Sequence, residues 1–308
     1  MSVIWYSHPS GLEHVTPSGH PEQVARLSAV EEGLQPLKLA RRDAPACTDE
    51  DILLCHPKRY LEGIEAAAPE AGSISLDGDT HMSPGSLIAA RHGVGGNIAA
   101  VDAVLDGEAK AAFVGCRPPG HHAERETAMG FCLFGNVAIA AKHALERRGL
   151  SRVAIVDFDV HHGNGTQDLV WEDERILFVS SHQMPLYPGT GAASETGAHG
   201  QVVNVPLKPQ TGGAEMKTAY REHVFPRLTE FAPQLILISA GFDAHRNDPL
   251  AGLRWEAEDF AWITDWLCDI ADAHCEGRVV STLEGGYDLT ALSASVRAHV
   301  EVLKERSA

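Results

Sequence analysis

Four short stretches of the sequence concentrate side chains that can move protons or hold metals. The densest reads Asp157-Phe158-Asp159-Val160-His161-His162-Gly163-Asn164-Gly165. Asp159 and His161 are two apart, so in an extended segment both side chains point the same way. A carboxylate and an imidazole on one side suit zinc or another divalent ion. A third ligand from elsewhere would leave a coordination position open for water, as catalytic sites do. Asp243, in Ala240-Gly241-Phe242-Asp243-Ala244-His245, is the natural candidate. Asp157 shares the facing direction and could support a ligand, bind a second ion or orient a histidine.

A third stretch reads Arg117-Pro118-Pro119-Gly120-His121-His122. Neutral imidazole accepts a proton near pH 7 and imidazolium returns it. That suits deprotonation of an activated water and protonation of a leaving group. Gly120 permits a sharp turn and close approach of backbone to substrate. The fourth stretch is Glu284-Gly285-Gly286-Tyr287, where two glycines let a phenol swing toward a developing oxyanion.

Each stretch follows or overlaps the end of a short β-rich apolar run: Ala111–Cys116, Val153–Phe158, Leu235–Ser239 and Val279–Leu283. Further runs are Val3–Tyr6, Ile176–Ser180 and Val202–Val205. Most are continuous rather than alternating, as in strands covered on both faces. Helical spacing lies between them, at Ser86–Leu105, Gly135–Arg148, Ala214–Phe231 and Glu256–Ala273, with Pro226 expected to split the third. Gly93, Gly95 and Gly96 lack the context of a phosphate loop and predict close helix packing. The alternation predicts a single α/β domain over residues 1–308, three-layered, with a mainly parallel central sheet. Open sheets of this kind bind ligands beyond the carboxyl ends of their strands. The four stretches therefore point to one shared pocket.

With 25 Lys and Arg against 42 Asp and Glu, the net charge is −17. Such a surface repels phosphate backbones and argues against direct nucleic-acid binding. The six cysteines form no CxxC pair, which predicts buried free thiols in a reducing, cytoplasmic compartment. No apolar stretch approaches the roughly 18 residues of a membrane span, and the N-terminal MSVIWYSHPS lacks a signal-peptide pattern.

From His20-Pro21-Glu22 to Tyr287 the sequence resembles the zinc-dependent histone deacetylases of the arginase/deacetylase fold. PPGHH, GFC at Gly130–Cys132, DFDVHHGNGT at Asp157–Thr166, YPGTG at Tyr187–Gly191, GFDAH and LEGGY occur in that family's order. The DFDVHHGNGT form, with Asn164, looks more like class II and bacterial deacetylase-like amidohydrolases. The resemblance implies that Asp159, His161 and Asp243 bind one Zn²⁺. It implies that His122, hydrogen-bonded to Asn164, is the principal general base and acid. His121, paired with Asp157, would assist electrostatically, and Tyr287 would donate to the scissile carbonyl. By the same resemblance, K⁺ or Na⁺ would be held by Asp157, Asp159, His161, Ser180 and Ser181. An acyl-lysine tunnel would involve Pro119, Gly130, Phe131, Tyr187 and Leu250, with Asp79 at the rim. Arg26 would line a cavity for released acetate.

The implied reaction is metal-assisted amide hydrolysis. The expected partner is an acylated lysine peptide or a small acylated amine, and related bacterial proteins are often homodimers or homotetramers. An acetylpolyamine deacetylase competes with the lysine reading. In one branch of the family its selectivity rests on an acid after the DP pair; here that position is Leu250, though Asp77 or Asp79 could serve instead. An arginase-type ureohydrolase needs two Mn²⁺ and more aspartates than this cluster holds. A deacetylase-like binder without chemistry is disfavoured by the complete ligand set.

Overall fold

The computed structural model describes residues 3–308. Ten strands occur: β1 (Val3–Ser7), β2 (Ala40–Asp43), β3 (Ile74–Ser75), β4 (His81–Met82), β5 (Ala111–Val114), β6 (Val153–Asp157), β7 (Ile176–Gln183), β8 (Val202–Leu207), β9 (Ile236–Ala240) and β10 (Val279–Leu283). Eight of them form one sheet in the order β2-β1-β5-β10-β9-β6-β7-β8, every pair parallel. β3 and β4 make a separate antiparallel ribbon.

Strand alternation divides the apolar side chains between two cores. Val3, Trp5 and Phe113 pack on one face with Val30, Phe260, Val296 and Val300. Ile4, Tyr6, Ala112 and Val114 pack on the other with Val94, Val101, Val137 and Ala141. The first group of partners comes from helices Ala25–Leu34, Ala257–His274 and Leu289–Arg306; the second comes from Ser86–Leu105 and Asn136–Glu146. Both faces of the sheet are thus covered by helices, the three-layer arrangement that continuous apolar strands require.

In the glycine-rich helix Ser86–Leu105 the packing expectation holds at Gly95 and Gly96, whereas Gly93 has room for a β-carbon. A β-carbon on Gly95 would collide with the Pro45 carbonyl and the Cys47 amide. The predicted break at Pro226 falls one turn earlier, where Tyr220–Val224 widens into a π-helical turn before the helix Phe225–Phe231. Helix Ala257–His274 starts at a capping box in which Asp259 accepts from the Glu256 amide at 3.0 Å. All six cysteines are free and buried. No helix among the described residues is long and apolar enough to cross a membrane.

β2 was not expected. Its four residues, Ala-Arg-Arg-Asp, are all exposed and sit at the sheet edge. Charged edge strands resist edge-to-edge association but carry no hydrophobic signal.

Candidate active site

The four chemical stretches leave the sheet from β5, β10, β9 and β6, four consecutive central strands. Parallel pairing puts all their carboxyl ends on one rim, so residues up to 166 positions apart converge, from His121 to Tyr287.

Asp159, His161 and Asp243 each offer a donor atom within 4.8 Å of the others, and all three are buried. His161 Nδ1 lies 3.1 Å from Asp159 Oδ1 and 3.1 Å from Asp243 Oδ2. Backbone amides fix both carboxylates. The Gly285 amide donates to Asp159 Oδ2 at 2.8 Å, the His161 amide to Asp159 Oδ1 at 2.9 Å, and the Val160 amide to Asp243 Oδ1 at 2.9 Å. Gly285 must lack a side chain, because a β-carbon there would strike Asp243 and Asp159.

Two buried carboxylates meeting at one point demand positive charge. Burial opposes charge on His161, but Asp159 and Asp243 outweigh it and push its pKa up to about 10. Burial also opposes ionisation of Asp159, yet His121 and His161 hold that carboxyl below its usual range. Two carboxylate oxygens and one imidazole nitrogen, anchored from behind by amides, fit a single divalent ion with a position left free.

The tandem histidines lie beside this cluster with ring centroids 4.0 Å apart. His121 Nδ1 is 3.1 Å from Asp157 Oδ2, and His122 Nδ1 is 2.7 Å from Asn164 Oδ1. Their environments separate them. Burial works against a charge on His121, but Asp159 and Asp157 overcome it and raise its pKa well above 6.5. For His122, burial first and the neighbouring His121 and His161 next drive the pKa well below 6.5. The surroundings thus push His121 toward the imidazolium and His122 toward the free base. Such a split marks groups with different roles.

Tyr287 is buried, its ring edge-on to Phe131 at 5.8 Å. Burial pushes its phenol well above 10, although Arg26 opposes the shift, so the hydroxyl stays a donor. The preceding Gly286 takes φ +115°, a conformation that side chains rarely adopt.

Three of these groups, His122, His161 and Tyr287, line a cavity of about 340 Å³ together with Gly130, Phe131, Tyr187, Leu250 and Asp79. His20, Pro21, Gly78, His81 and Leu186 complete the lining. Asp79 is half-buried there; burial and then Asp77 raise its pKa. Asp77 itself is occupied locally, accepting from the Asp79 and Thr80 amides at 3.0 and 2.6 Å.

One expected lining residue lies elsewhere. Pro119 is buried outside the lining, where Glu284 accepts from the adjoining Gly120 amide at 2.7 Å and the His121 amide at 3.2 Å. Arg26 stands behind Tyr287, its guanidinium 4.9 Å from the ring centroid. Its donors reach the Gly286 carbonyl at 2.8 Å, the Glu284 carbonyl at 2.5 Å and Glu22 Oε1 at 3.0 Å. It braces the tyrosine loop from behind. Of the residues expected at a monovalent ion, Ser180 pairs in register with Asp157 across β6 and β7. The hydroxyls of Ser180 and Ser181 are engaged by His182 Nδ1 at 3.0 Å and by the Tyr220 hydroxyl at 2.7 Å.

Sequence reading gave no role to Glu284 or Asp248, which act on backbone amides. Burial pushes Glu284 up to about 7 and Asp248 up to about 7. Asp248 accepts from the Tyr287 amide at 2.7 Å and the Leu250 amide at 3.0 Å, tying the tyrosine to the cavity wall.

A parallel α/β sheet with an Asp-His-Asp centre, a polarised histidine pair and a buried phenol at one rim defines a hydrolytic enzyme. Comparison with known proteins specifies which kind. Residues 20–303 match the histone deacetylase domain, and the chain belongs to the histone deacetylase family. It is 42% identical over 289 residues to a histone deacetylase-like amidohydrolase of Pseudomonas aeruginosa, covering 92% of this chain and 75% of that one. It is 40% identical over 291 residues to a probable deacetylase of Archaeoglobus fulgidus, covering 92% and 80%. The solved HDA15 HD domain superposes with a TM-score of 0.92 at 33% identity, over 99% of this chain and 89% of that one.

Proposed function

We propose that this enzyme, acting as one deacetylase domain, removes acetyl or other acyl groups from the ε-amine of lysine in proteins or peptides. We further propose that Asp159, His161 and Asp243 hold one Zn²⁺ for this purpose, with K⁺ or Na⁺ as a structural ion beside Asp157 and Ser180. The observation that carries the reading is the composition of the cavity. Phe131, Tyr187, Leu186 and Leu250 offer apolar walls to a methylene stem, and the floor carries His122, His161 and Tyr287.

The ion would supply Lewis-acid polarisation of the acyl carbonyl and make water more acidic. The protein's own groups do the rest. His122, a free base at neutral pH, takes the proton of the attacking water through Nε2. The Tyr287 hydroxyl donates to the carbonyl oxygen as negative charge builds there. His121, held charged against Asp157, lowers the cost of that charge. His122 then returns its proton to the departing amine nitrogen.

A substrate panel tests the reading. Zinc-loaded enzyme should hydrolyse an acetyl-lysine peptide with kcat/KM at least about tenfold above acetylspermidine and acetylputrescine, one missing partner for a distant ammonium having roughly that weight. The apolar Leu250 supports this order. A preference for the polyamines would transfer the assignment to them and give Asp79 the role of cation partner. Absence of turnover with every acyl chain length would remove the catalytic reading.

A further inference from the structure

Asn164 presents a problem that an aspartate in its place would not. Its side-chain amide has an acceptor end and a donor end. With Oδ1 toward His122, the histidine must carry its proton on Nδ1, which leaves Nε2 bare and able to accept. With the amide turned over, Nδ2 would donate to Nδ1, the neutral ring would carry its proton on Nε2, and that nitrogen could take none from water. The histidine cannot decide between these states, since either end of the amide satisfies it.

A second contact decides. Asn164 Nδ2 donates to Glu124 Oε1 at 2.7 Å, and also approaches Met129 Sδ at 3.3 Å. An ionised carboxylate only accepts, so it tolerates the amide in one orientation alone. Glu124 is itself held in place. Its amide donates to the Thr127 carbonyl at 3.0 Å, closing a tight turn. The next amide, Arg125, donates to Asp168 Oδ2 at 2.8 Å. Asn164 and Asp168 are four apart on the helix Asn164–Val170, so one helix face grips both the side chain of Glu124 and the backbone beside it.

We propose that Glu124 is a positioning residue: by fixing the Asn164 amide, it locks the proton of neutral His122 onto Nδ1 and keeps Nε2 free. The inference deepens the deacetylase reading and rests on it for its kinetic consequence only.

The test combines tautomer and rate in full-length, zinc-loaded enzyme. Nitrogen-15 NMR of histidine-labelled protein, with the His122 signals assigned by their loss in His122→Gln, reports which ring nitrogen carries the proton. The wild type is expected to show Nδ1–H alone. In Glu124→Ala a fraction with Nε2–H should appear, and kcat on an acetyl-lysine peptide should fall about tenfold, the weight of one orienting hydrogen bond, with KM within about twofold by the same argument. Glu124→Gln, which keeps the shape but can donate as well as accept, should fall between. Adding Asn164→Asp to Glu124→Ala should restore both the Nδ1–H tautomer and most of kcat, because a carboxylate needs no orienting partner. A ring that stays wholly Nδ1–H in both single variants overturns the proposal whatever happens to kcat, as does a loss that Asn164→Asp fails to rescue. If the tautomer shifts as expected while the wild type hydrolyses no acyl-lysine peptide, the substrate reading fails and the lock stands.

Discussion

Tyr287→Phe is expected to lower kcat for an acetyl-lysine peptide by about 10²- to 10³-fold, the usual cost of one oxyanion donor. Steady-state kinetics and metal analysis on one preparation check it. The substitution removes a single oxygen. The ring keeps its edge-on contact with Phe131 and its place under the Arg26 guanidinium. The backbone keeps its bond to Asp248. Zinc content and thermal stability should therefore match the wild type, and KM should change little. A loss confined to kcat would place the hydroxyl in the transition state rather than in substrate binding. Near-normal turnover would remove that role from Tyr287.

Replacing His122 by glutamine should cost about 10²- to 10⁴-fold in kcat, the range of a general acid–base group. The same substitution at His121 should cost less, because its surroundings favour the charged ring, which would contribute field rather than proton transfer. The difference follows from their surroundings: Asp159 and Asp157 flank His121, whereas neutral Asn164 backs His122. The sign of the pH dependence is also fixed. As the proposed base, His122 must be unprotonated to act, and burial, with His121 and His161 nearby, drives its pKa well below 6.5. The rate should hold as pH falls from 8 to 6.5 and drop only at lower pH, where His122 gains its proton. A pH–rate profile that already falls below pH 7.5 in the wild type would assign the base to another group.

Much of this site was legible before any coordinates, for a physical reason. The motifs follow strand candidates, and parallel strands present their carboxyl ends to one rim. Asp159, His161, Asp243, the histidine pair and Tyr287 could therefore be gathered from local patterns alone. Seven of the eight strands of the main sheet were visible as apolar runs, and the eighth, β2, was hidden by its charges. What stayed hidden were groups whose partners are backbone amides far along the chain. Asp248 binds the amide of Tyr287, 39 residues on, and Glu284 binds those of Gly120 and His121, 164 and 163 residues back. No spacing rule reports such pairs, because only the folded path brings them together. Glu124 was hidden differently: it sits two residues past the histidine pair, yet acts through an amide from another segment. Pro119 differs from the others: family resemblance carried it to the tunnel wall, while the adjoining Gly120 amide is drawn to Glu284 behind that wall.

The proposed chemistry depends on three buried side chains, Asp159, His161 and Asp243, gripping one divalent ion. Metal stoichiometry by mass spectrometry, after zinc loading and dialysis against a weak chelator, tests it most directly. The wild type should retain one equivalent of zinc per chain, and Asp159→Ala, His161→Ala and Asp243→Ala should each retain none while keeping a folded circular-dichroism spectrum. Full retention by all three variants, or two equivalents in the wild type, would contradict the account.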